Sequence, residues 1–183
     1  MEGLFRNADD ALRYAFNFSS QQHAQSQMGK MMKASGRTGK GLIGDTGAGQ
    51  SGMILAELRE LRKRDPAKYH CLVIRYAPRV KKCGHCAGEA PTSYWREAVV
   101  ALADWSMTVC PGSSQRMVRE AIIMKYFGEK ISIAELSREV NIPERTIYDM
   151  RSKIINALIK LDNRAQEEVG DLLTVKYGLI EAV

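Results

Sequence analysis

The chain has 183 residues, 45% of them hydrophobic and 26% charged, with a net charge of +6. That composition suits a soluble globular chain that buries a core. No apolar run approaches the roughly 20 residues a membrane-spanning helix needs, and residues 1–20 lack a signal-peptide core, so a cytoplasmic location without a membrane partner is expected.

The basic excess favours a polyanionic partner, and it is unevenly placed. Residues 111–183 carry 11 Lys/Arg and 11 Asp/Glu, whereas residues 1–110 carry 16 and 10. Most of the surplus falls in residues 30–82, from Lys30 through Arg37, Arg62 and Arg75 to Lys82. A charge run is ordinarily a solvated face, and this one also reads as a source of phosphate attraction.

In chain order, Asn7 is suited to cap a short amphipathic helix reaching Phe18. Residues 36–52 hold seven glycines and read as a flexible linker rather than a phosphate loop. The required Gly-Lys-Ser/Thr step is missing, because Gly39-Lys40 is followed by Gly41. Met53, Leu55, Leu58 and Leu61 then recur at helical spacing, with Ser51 as cap. Asp65-Pro66 restarts the chain as N-cap and first helical residue of a helix running to about Ala77. Residues 81–92 read as a compact loop, and 93–108 as a helix with Trp95, Val99 and Leu102 on one face. After Pro111-Gly112 the helices expected are 114–127, 133–140, 143–161 and 164–179. No strand pattern is evident, so the fold class is all-α. The expected organisation is an N-terminal helix or arm (1–28), a Gly-rich basic linker (29–50), a first helical unit (51–110), a second unit (111–163) and a C-terminal helix (164–183). Val73-Ile74-Arg75-Tyr76 is weakly echoed by Ile123-Met124-Lys125-Tyr126.

The strongest signal is ISIAELSREVNIPERTIYDMRSK, residues 131–153. Two helices meeting at a steep angle need a small residue at their contact, here Ser137, and a turn residue tolerant of the left-handed conformation, here Asn141. Ile142 would plug the turn into the core, and Pro143 would open the second helix. Ile147 and Met150 would face Leu136 and Val140. Arg145, Thr146, Tyr148, Asp149, Ser152 and Lys153 would then lie outward, where a helix-turn-helix reaches base edges and phosphates of double-stranded DNA. The competing reading is a helical hairpin whose polar face is merely wet. The whole pattern resembles region 4 of bacterial sigma factors, with Tyr126-Phe127 preceding Ile133-Ala134-Glu135-Leu136-Ser137 and a Leu/Ile-rich continuation over 154–161.

Cys83-Gly84-His85-Cys86 has the spacing that lets two thiolates bind one zinc ion. It is half a site. His70, Cys71 and Cys110 are the other candidates, and a metal-free loop with Cys71 and Cys110 as buried small hydrophobes is the alternative. Taken with Gly88, Pro91 and Trp95-Arg96-Glu97-Ala98, this segment resembles phage antitermination proteins of the Q type. That resemblance implies a cysteine-containing loop inserted in a first helix-turn-helix-like unit, followed by the sigma-like unit. It also implies a late-gene antiterminator that engages RNA polymerase in a bacterial or phage-infected cytoplasm, with one structural zinc. Arg79, Lys81, Lys82, Ser93, Tyr94 and Arg96 would then approach the duplex. Alternatives are a small-terminase-like packaging protein and a simple repressor or activator. No catalytic constellation or small-molecule substrate site is evident around His23, His70 or His85, so an enzyme is not expected.

Overall fold

The computed structural model describes residues 5–18, 42–82, 88–112, 115–176 and 178, with only the backbone of 42–48, 82 and 176. Among them are seven α-helices: α1 (8–18), α2 (Leu42–Arg64), α3 (Pro66–Tyr76), α4 (Ser93–Trp105), α5 (Arg116–Tyr126), α6 (Ile133–Val140) and α7 (Glu144–Asp171). The expected all-α class holds. No described helix is long and apolar enough to cross a membrane.

A side-chain cap sets three of the described helix starts. The Asn7 carboxamide accepts the Asp10 N–H at 2.8 Å, and Asp65 accepts the Lys68 N–H with Pro66 opening α3. Each satisfies one of the N–H groups that a helix start leaves unpaired. In α6, Ser132 accepts from the Glu135 N–H at 3.3 Å.

Several expectations are corrected. Residues 42–50, read as linker, form the first turns of α2. Glycine costs a helix about 0.5–1 kcal/mol per position, which made the segment look unstructured. The helix is nevertheless anchored further on by Ile54, Leu58 and Leu61, all buried. Ser51 is no cap but a buried residue inside α2, with its hydroxyl donating to the Ala15 carbonyl of α1 at 3.3 Å. The 81–92 segment is not wholly loop. Val80–Lys82 (β1) pairs antiparallel with Glu89–Pro91 (β2), Val80 opposite Pro91. Three-residue strands are too short to show a period of two, and Pro91 sits at a strand end, where its missing N–H costs no ladder bond. The helix expected over 93–108 is α4 followed by a 3-10 turn, Ser106–Thr108.

No break separates the helices expected at 143–161 and 164–179. α7 passes through Asp162 and Asn163 without interruption and ends in a π-helical segment, Leu172–Lys176. Ile147, Ile154, Leu158, Ala165 and Val169 keep one buried stripe along it, and the steps of four and seven residues are those of a single helix face. Buried side chains from Ala11 to Leu173 form one contiguous core to which all seven helices contribute. α7 packs on α3, α5 and α6, and α4 bridges α3 and α5.

Candidate nucleic-acid interface

α6 and α7 are joined by Asn141, Ile142 and Pro143. Asn141 adopts φ 54° and ψ 44°, the left-handed conformation expected at this position, and is the one non-glycine residue with positive φ among those described. Its short polar side chain makes this conformation less costly than for most residues. Ser137 is more than a small contact residue. Its hydroxyl donates to the Ile142 carbonyl at 2.6 Å, and its own carbonyl accepts the Ile142 N–H at 3.2 Å. The turn is thus tied to α6 from both sides. Pro143 is the N-cap of α7, with ψ 137°, rather than its first helical residue. Leu136, Val140 and Ile147 are buried, while Ile142 and Met150 pack partly buried against the core.

This packing fixes which face of α7 looks outward. Arg145, Thr146, Tyr148, Asp149, Ser152 and Lys153 are all exposed. Tyr148 is 48% accessible despite its size. Among the described residues, none of Arg145, Asp149 and Lys153 forms an ion pair. Their charges are therefore available to an external partner.

The expected residues of the first unit are not gathered in the same way. Ser93 and Arg96 are exposed on α4, where they line a shallow surface with Glu97, Val100 and Asp104. Tyr94 is half-buried against the core, so it does not stand free as expected. Its ring flanks the inward face of α4, one turn before buried Ala98. Lys81 is exposed on β1, and Lys82 is described only through its backbone. Arg79 holds the neighbouring loop in place. Its guanidinium pairs with Glu129 at 2.9 Å and donates to the Phe127 carbonyl. Cys83 and Cys86 lie outside the described residues, while Cys71 and Cys110 are buried free thiols. Burial pushes the Cys71 thiol well above its ordinary range, which disfavours the thiolate that a metal requires.

The basic run over 30–82 is likewise less available than its sequence suggests. Lys63 pairs with Glu60, Arg64 and Lys68 with Glu168, Arg75 with Asp162, and Arg79 with Glu129. The Lys68 ammonium is held above its ordinary value by its hydrogen bond to Glu168. Residues 30–41 lie outside the described residues.

Sequence reasoning missed a polar cluster where α1, α3, α5 and α7 meet. Asp162, 1% accessible, accepts from the Arg75 guanidinium, from the Tyr126 hydroxyl at 3.0 Å and from the Gln166 amide at 2.9 Å. The Tyr76 hydroxyl donates to Asp9 at 2.5 Å. Burial, with Asp162 beside it, pushes the Tyr126 phenol up to about 12. The echoed basic-Tyr pairs are the sequence trace of this cluster, since both tyrosines end on carboxylates in it. Also missed was a trough before α6, about 570 Å³, lined by Lys125, Lys130, Ser132, Glu135 and Arg151. Lys125 donates to the Ile131 carbonyl at 2.6 Å, and the Arg151 Nε is buried without a hydrogen-bond partner among the described residues.

No known protein family, characterised protein or solved structure matches the chain.

Proposed function

We propose that the chain is a sequence-specific double-stranded DNA-binding transcription regulator, with α6, its turn and the first half of α7 as a helix-turn-helix reader. The observation that carries this is the pairing of a left-handed Asn141 turn with an α7 face on which Arg145, Thr146, Tyr148, Asp149, Ser152 and Lys153 are all exposed. The major groove admits one helix, and its base edges offer acceptors to Arg and Lys, donors to Asp, and the thymine methyl to an apolar ring edge. The mixed signs on α7 suit a reader that discriminates rather than a clamp that binds any phosphate.

The step beyond binding rests on the resemblance to Q-type antiterminators: the regulator engages RNA polymerase near a promoter. Sequence selection from a random duplex pool tests the first claim, with an enriched motif as the expected result. Affinity for that motif should fall steeply with salt as counterions are released. No enrichment together with a flat salt response overturns the DNA-binding reading. Co-purification of RNA polymerase with the tagged chain from an infected or expressing bacterium tests the second claim.

A further inference from the structure

We propose that the cleft between α1 and the C-terminal ends of α3 and α5 is a phosphate-binding site that holds the DNA backbone beyond the reader helix, an inference resting on the DNA-binding reading above. The cleft has a volume of about 540 Å³ and brings together Arg13 of α1, Arg75 of α3 and Arg79 of the following turn. None of the residues lining it is acidic. The carboxylates that pair with these arginines do not line it: Asp162 is buried on Arg75, and Glu129 lies along the neighbouring trough.

A guanidinium carries five N–H donors. Arg75 uses part of its set on Asp162, Arg79 part of its set on Glu129 and Phe127, and Arg13 has no carboxylate partner among the described residues. Donors therefore remain on all three. Two of the guanidinium planes are held by rings, Arg13 over Tyr76 at 5.7 Å and Arg75 over Phe127 at 5.8 Å. Planar forks fixed in this way suit the oxygens of a phosphate. Tyr76 and Tyr126 also line the cleft, with their hydroxyls committed to Asp9 and Asp162.

The link to DNA is positional. Gly128, with φ 99°, lines both this cleft and the trough of Lys125, Lys130 and Arg151. That trough reaches the start of α6, and Arg151 is itself a residue of α7. A surface on which Lys125, Lys130 and Arg151 outnumber Glu129 and Glu135, and which continues to Arg79, Arg75 and Arg13, therefore runs from the start of α6 across the α5–α6 loop. A backbone following it would meet phosphate-binding groups away from the bases being read.

Arg13 is exposed and makes no described hydrogen bond, so Arg13→Gln tests the site without removing a brace of the fold. Circular dichroism and thermal melting verify that the variant folds. Fluorescence anisotropy of a labelled mixed-sequence duplex over a salt series is the main measurement. The expected result is a log–log salt slope lower by about 1 in Arg13→Gln and restored in Arg13→Lys. Duplex binding with an unchanged slope in Arg13→Gln, or an equal fall in Arg13→Lys, overturns the site and leaves the DNA-binding reading standing. Thermal stabilisation by inorganic pyrophosphate separates the sources. If no duplex binds but pyrophosphate stabilises the native chain and not Arg13→Gln, the cleft is a site for free phosphate and the DNA reading falls. If neither binds, both fall.

Discussion

The two halves of α7 are built to opposite ends. Its first half buries Ile147 and Ile154 but leaves Arg145, Asp149 and Lys153 exposed without ion pairs among the described residues. Its second half ties two of its acids to the rest of the fold: Asp162 to Arg75, Tyr126 and Gln166, and Glu168 to Arg64 and Lys68. One helix is thus rooted at its end and open at its beginning. A rigid helix anchored in the core can present side chains to a groove without reordering them, which lowers the entropic cost of association. The division also explains why sites on regular elements are more precise than sites on loops.

The largest effect expected from breaking this contrast is on the rooted half. Asp162→Ala leaves the Arg75 guanidinium, the Tyr126 hydroxyl and the Gln166 amide without their common acceptor. Removing one member of a buried ion pair costs about 3–5 kcal/mol, and partial exposure of Arg75 places the expectation at about 3 kcal/mol. Urea unfolding should show it as a lower midpoint; a midpoint within error of the native value would mean that the cluster does not root α7. Arg145→Ala should do the reverse. If Arg145 makes a bidentate base contact, affinity for the selected site falls by about 1–3 kcal/mol, while stability changes by less than about 0.5 kcal/mol, as for other exposed surface changes. Unchanged affinity and preference would remove Arg145 from the reader set.

The same contrast governs what could be read in the sequence. The proposed reader end was legible because its constraints are local. Asn141 is needed where the backbone turns left-handed, Ser137 where two helices touch, and Ile147 follows four residues after Pro143. The rooted end was not, because Asp162 looks like any polar residue after Leu161. Its partners Arg75 and Tyr126 lie 87 and 36 positions away, and no periodicity encodes a pairing at such separations. For that reason the chain appeared to divide at 163. The basic surplus misled for a related reason: Arg64, Lys68, Arg75 and Arg79 look solvated one at a time, and only the fold supplies their carboxylates. The short β1–β2 ribbon was hidden by its length, and Tyr94 by lying at the edge of the buried face of α4, one turn before Ala98.

A smaller effect should follow at the turn between α6 and α7. Asn141→Ala places an alanine at φ 54° and should destabilise by about 1 kcal/mol, because the left-handed conformation brings Cβ against the carbonyl. Asn141→Gly should be tolerated far better, since glycine adopts positive φ freely. Thermal melting of the two variants side by side checks this. Equal losses in both would show that the Asn141 side chain matters more than its backbone angle.

The smallest effect lies in the pH dependence of the first unit. His70 of α3 packs edge-on to Tyr69 at 5.1 Å, and its Nδ1 is buried without a partner among the described residues. Burial, aided by nearby Arg62 and opposed by Glu97, holds its pKa below the ordinary 6.5. The folded state therefore resists a proton that the unfolded chain accepts. The stability contributed by neutral His70 is full above pH 6.5 and is lost as pH falls through the lower folded value. His70→Gln cannot titrate, so the native chain should lose stability more steeply than the variant when denaturant midpoints are followed downward from pH 7. Parallel curves would mean that the imidazolium is accommodated, through Glu97 or through water, and that this helix face is more open than its burial implies.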